Sequence, residues 1–105
     1  MPIQQWSDKM VVVAIGDDPQ FTDELNSLTE RLKRDPPKDV VLDMRGVSYV
    51  DSSNIGRLLR VRKVVIAKER RVFLTWINPQ VWQILQAAGL DQLFDVAGRT
   101  SHYSD

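Results

Sequence analysis

Asp51-Ser52-Ser53-Asn54 is the segment of this 105-residue chain best suited to chemistry. An apolar run, Val47 to Val50, ends on an acid and two serines, and a helical pattern begins at once. A hydroxyl at such a start lies among backbone N–H groups without helical partners, at the positive end of the dipole. A phosphate carried there would be held by those groups, so the turn can work as an on/off switch. The serines can also serve as plain helix caps, worth about 1 kcal/mol and needing no regulation. Both uses draw on the same N–H groups and are compatible.

Other chemistry has less support. Asp17 and Asp18 follow one apolar run and Asp43 ends another, a pattern that could hold Mg²⁺ beside an acceptor aspartate. Only one helix separates them, with no intervening strand, so Asp43 reads instead as a strand-end residue bonding to backbone. His102 is the only histidine and stands in a polar tail, a poor place for a positioned base. There is no cysteine, no glycine-rich phosphate loop and no metal-ligand spacing. No catalytic residue, cofactor or metal is therefore expected. Of the three tryptophans, Trp82 is the best candidate for an interface.

Length and composition describe what must position the turn. With 43% hydrophobic and 27% charged residues, the chain reads as one globular domain over residues 1–97, with 98–105 as a flexible tail. The longest apolar run, Met10 to Ile15, is too short to span a bilayer, so no membrane insertion is expected. The N-terminus lacks the regions of a signal peptide, which makes the cytoplasm the expected location. Fourteen cations balance fourteen carboxylates, which argues against nucleic acid as a partner. The charge is uneven, however. From Arg57 to Arg71 seven cations face only Glu69, a patch that could steer an acidic partner or simply be a solvated helix face.

The elements alternate. Ile3 to Ser7 is a short strand, and the β-branched run Met10 to Ile15 is a strand expected to be buried on both faces. Asp18 reads as an N-cap with Pro19 at the first helical position, and Phe21, Leu25, Leu28 and Leu32 mark the helix's core face. Val40 to Met44 is the next strand. In the helix after the switch turn, Ile55, Leu58, Leu59, Val65 and Ile66 are taken as the core face, with Arg62 in its middle either snorkelling along its stem or binding a carbonyl or carboxylate. Arg57, Arg60, Lys68 and Arg71 then project on the opposite side. Val72 to Ile77 is a strand, Asn78-Pro79 starts a helix with Val81, Trp82, Leu85 and Ala88 inward, and Gly89 stops it. Leu93 to Val96 could be a last short strand. Strands alternating with helices give an α/β layer.

Val40 to Asp43, Val47 to Val50 and Asp51-Ser52-Ser53-Asn54-Ile55-Gly56 together resemble the signature of STAS domains, the anti-sigma factor antagonist family. Val72-Phe73-Leu74, Asn78 to Val81 and Leu85 to Leu90 with Leu93-Phe94 resemble its later segments, so the likeness covers roughly residues 10 to 96. The resemblance implies a small α/β sandwich, a mixed sheet of four to five strands with helices mainly on one side. It implies a non-enzyme that binds a serine-kinase anti-sigma factor while Ser52 is unphosphorylated, with a phosphatase restoring that state. Asp51, Ser53, Asn54, Gly56, Arg57 and Arg60, with Asp17 and Asp18, would form the switch turn and partner surface, in a monomer or weak dimer. The resemblance leaves a second possibility: a STAS subunit or scaffold of a transport or stress-signalling assembly, without a phosphoswitch. Two residues depart from the family pattern. Asn54 stands where its glycine is usual, and Gly16-Asp17-Asp18 runs directly into Pro19 where the family has Gly-x-x-Asp.

Overall fold

The structure, a computed structural model, describes residues 4–96. The expected tail at 98–105, His102 and the first residue of the N-terminal strand lie outside the described residues. The elements are β1 (Gln4–Trp6), β2 (Met10–Gly16), α1 (Gln20–Arg34), β3 (Asp39–Gly46), α2 (Ser52–Ala67), β4 (Val72–Thr75), α3 (Pro79–Ala87), a 3₁₀ turn at Leu90–Gln92, and β5 (Asp95–Val96). The five strands form one sheet in sequential order, β1-β2-β3-β4-β5. β1 is antiparallel to β2, and the pairs β2–β3, β3–β4 and β4–β5 are parallel, so the sheet is mixed as expected.

Each parallel connection steps one strand in the same direction, and right-handed crossovers then put every helix on one face. Burial agrees. Val11, Val13 and Ile15 of β2, Val40, Leu42 and Met44 of β3, and Val72 and Leu74 of β4 are buried against the helices. Their neighbours Val12, Ala14, Val41 and Phe73 are only half-buried. The expectation that β2 is buried on both faces is therefore corrected, because no helix of the described residues covers its second face.

The inward stripe of α1 is the expected one, Phe21, Leu25, Leu28 and Leu32. That of α2 is not. Its buried residues are Asn54, Leu58, Val61 and Val65, while Leu59 and Ile66 are exposed and Ile55 is half-buried. Counting branched apolar residues rotated the expected face, because the true stripe begins on an asparagine. In α3, Val81 and Leu85 are buried, Trp82 is half-buried and packed on the core, and Ala88 is exposed. Gly89 stops the helix at φ 78°, a conformation only glycine takes without cost. β4 ends two residues earlier than expected, at Thr75.

Candidate functional site

The carboxyl ends of β2 and β3 meet at two glycines, Gly16 paired with Gly46. A Cβ on Gly46 would stand 3.0 Å from the Ile15 carbonyl oxygen and 3.5 Å from the Gly16 Cα, so the strands approach this closely only because that side chain is missing. The consequence is that the loop after β2 and the turn after β3 lie side by side. Asp17 bridges them: its carboxylate accepts from the Ser48 amide at 2.8 Å and the Ser48 hydroxyl at 2.6 Å.

Asp51 is the N-cap of α2, in extended conformation, so the expectation that a serine caps this helix is corrected. The Asp51 carboxylate accepts from the Asn54 amide at 2.9 Å, and the Asn54 side-chain oxygen accepts from the Asp51 amide at 2.9 Å. This reciprocal pair satisfies two end groups of the helix at once. Asn54 is 2% exposed, and its remaining Nδ2 group donates to Asp18 at 2.9 Å. An asparagine at this position therefore ties this turn to the loop before α1, where a glycine would keep only the backbone amide bond to Asp51.

The expectation that Asp18 is the N-cap of α1 with Pro19 at its first position is corrected, because the helix begins one residue later, at Gln20. Asp18 stands one residue outside α1, whose N-cap is Pro19, and reaches inward to accept from the Thr22 amide and hydroxyl at 2.9 and 2.6 Å. Hydrogen bonds from Ser48 hold the Asp17 carboxyl below the ordinary aspartate value of 3.8. Thr22 first, and then Asn54, do the same for Asp18. Asp43 bonds to backbone as expected, accepting from the Arg45 amide at 3.0 Å and pairing with its guanidinium. Each of the three aspartates thus has its own partners, and among the described residues no group of three or more metal-ligating side chains occurs.

The two serines differ. Arg57, half-buried, donates to the Ser53 hydroxyl at 2.6 Å and to its carbonyl at 3.2 Å. Ser52, the first residue of α2, is exposed, and its hydroxyl has no hydrogen-bond partner among the described residues. The Arg57 Nε is buried without an acceptor. Gly56 and Arg60 follow Ser52 at helical spacing and are both exposed.

The expected basic face breaks up. Lys68 donates to the carbonyls of Leu32 and Asp35 at 2.6 Å each, closing the end of α1. Arg70 pairs with Asp39 through two bonds of 3.0 and 2.9 Å, and Arg71 pairs with Asp95 at 2.9 and 2.7 Å. Arg62 flanks the buried stripe of α2 and holds the Leu93 carbonyl at 2.8 Å, the second of its two expected roles. Trp82 gives way as interface candidate to Trp76, which is 41% exposed at φ 56° and lies 4.6 Å from the Arg45 guanidinium. Sequence reading missed both Trp76 and the Asp17–Ser48 bridge, whose only signal was a glycine closing each of two adjacent strands.

Comparison with known proteins bears on this arrangement. The model of the STAS domain family matches residues 17–102. A STAS-domain containing protein of Pseudomonas aeruginosa is 33% identical over 61 residues, a match covering 58% of this chain and 60% of that protein's length. The anti-sigma-B factor antagonist of Staphylococcus aureus is 22% identical over 91 residues, covering 85% of this chain and 84% of the relative. Among solved structures, the anti-sigma factor antagonist SpoIIAA in its unphosphorylated form superposes with a TM-score of 0.78 at 18% identity, over 93% of this chain and 89% of that one. The murine anion transporter Slc26a9 superposes with a TM-score of 0.69 at 20% identity, over 88% of this chain but 16% of the transporter. These two likenesses are of fold.

Proposed function

Because the chain belongs to the STAS domain family, we propose that it is an anti-sigma factor antagonist that binds a serine-kinase anti-sigma factor while Ser52 is unphosphorylated. The Staphylococcus relative supports the class. The observation that carries the switch is the contrast within the turn: Asp51, Ser53 and Asn54 are all engaged, and Ser52 alone offers a free, exposed hydroxyl. A phosphate there brings about −1.5 to −2 charges to a helix N-terminus, where the dipole stabilises it and the Arg57 guanidinium on the neighbouring Ser53 adds positive charge. The fold accepts the group, while a partner seated on the exposed stripe Ser52, Gly56 and Arg60 meets new charge and bulk. The kinase and phosphatase of such a cycle act in the cytoplasm.

Incubation with a serine-kinase anti-sigma factor from the same genome, with ATP, followed by peptide mass spectrometry, tests the reading. One phosphate on Ser52 is expected. Modification at Ser53, or none from a kinase active on another substrate, overturns it. Ser52→Asp should weaken kinase binding about tenfold or more while the melting temperature moves by only a few degrees. The fold likeness to the transporter favours one second reading, a STAS subunit or scaffold without a phosphoswitch, which an inert Ser52 would support.

A further inference from the structure

Of the cations on α2 and just beyond it, Arg62, Lys68, Arg70 and Arg71 hold neighbouring elements, and Arg57 holds Ser53. Arg60 and Lys63 do neither. Both are exposed and meet no acceptor among the described residues. Together with Lys33 and Lys68 they line a groove of about 460 Å³ between α1 and α2, with Val64 and Ala67 also in its wall. We propose that this groove docks an acidic amphipathic helix of a partner protein. Apolar residues of that helix would rest on Val64 and Ala67, and its carboxylates would face Arg60 and Lys63.

Charge comes first in favour. Four cations line the groove and no carboxylate does. Lys68 is already committed to the end of α1, and Lys33 has only an exposed partner, Glu30, at 3.3 Å, a contact worth little. Arg60 and Lys63 therefore stay available to an incoming anion.

Shape and position point the same way. From Arg60 to Ala67 the wall runs about 10 Å, two helical turns, which suits anchors at i, i+3 or i+4, and i+7. Arg60, Lys63 and Ala67 are all exposed, so the groove lies open along its length and would cover one side of a helix. A small molecule would keep too much of its surface in water there. The groove also continues the exposed line Ser52, Gly56, Arg60 and Lys63, so one protein could cover both. It makes no use of the Ser52 hydroxyl, and the site stands whether or not the switch does.

Fluorescence anisotropy on the full chain, with a synthetic peptide carrying leucine and glutamate at helical spacing, tests this. A scrambled peptide of the same composition and vesicles of phosphatidylcholine with phosphatidylglycerol are the competing probes. The ordered peptide should bind at least about tenfold more tightly than the scrambled one, and amide NMR shifts should cluster at 33 and 60–68. Lys63→Glu, by charge, and Ala67→Gln, by filling the wall, should each weaken it about fivefold or more, with unchanged melting curves. Absence of binding, equal binding of the scrambled peptide, shifts elsewhere, or preference for the vesicles would each overturn the proposal. No kinase enters the assay, so its outcome and that of the Ser52 phosphorylation test are read separately.

Discussion

The two ends of α2 use their polar residues in opposite ways. At the start, a closed network of Asp51, Asn54, Asp18 and Thr22 fixes the backbone and leaves one hydroxyl over, that of Ser52. Beyond the other end, Lys68, Arg70 and Arg71 reach out to hold α1, β3 and β5, and the cations left over, Arg60 and Lys63, come earlier in the helix. In both regions the residue left without internal work is the candidate for external work. A cluster of like residues says little until those holding the fold are separated from those facing outward.

The sharpest way to break this comparison is at Asn54. Asn54→Ala removes half of the reciprocal cap and the bond to Asp18 from a buried position, and should cost about 2 kcal/mol in urea unfolding. Ser52→Ala, two residues away, should stay within about 0.5 kcal/mol. Equal effects would erase the distinction drawn inside the turn. At the other end, Lys68→Met keeps the aliphatic stem but strips α1 of its terminal donor, and should cost about 1–2 kcal/mol. Lys63→Met should be silent in the same measurement.

Gly56→Ala sharpens the outer stripe. A Cβ at Gly56 meets nothing within 4 Å, so the change should stabilise the helix by up to about 1 kcal/mol in thermal melts. A gain in stability accompanied by weaker kinase binding would show that the bare position serves docking. The smallest effect concerns acid. Asp17 and Asp18 have folded values below the ordinary 3.8, so their contribution is complete above that value and fades as pH falls through it toward the lower folded values. Carboxyl NMR titration should show both shifted down, and Ser48→Ala should return Asp17 toward 3.8 while leaving Asp18 in place.

Much of this was legible beforehand. Strand and helix order follows from apolar runs punctuated by Asp-Pro, Asn-Pro and glycine, and Asn78 caps α3 by accepting from the Gln80 amide at 2.7 Å. The facing of α2 was not legible, because an asparagine begins its buried stripe and two exposed residues, Leu59 and Ile66, imitate one. Nor could the fate of Arg62, Lys68, Arg70 and Arg71 be read from one helix, since their acceptors lie 24 to 61 residues away in sequence. In the sequence Asn54 is only a departure from the usual glycine. Its role emerged only with Asp18 in place, 36 residues distant.

The sequential order of the sheet has a kinetic meaning. Each strand pairs only with the next one along the chain, and no strand must wait for a distant segment to be threaded between two others. Loop closure for every parallel pair therefore spans little more than one crossover helix, and its entropic cost rises only slowly with such lengths. A sheet assembled this way can grow outward from β2 and β3, one strand at a time. It should fold faster than a sheet of equal size whose central strand comes last.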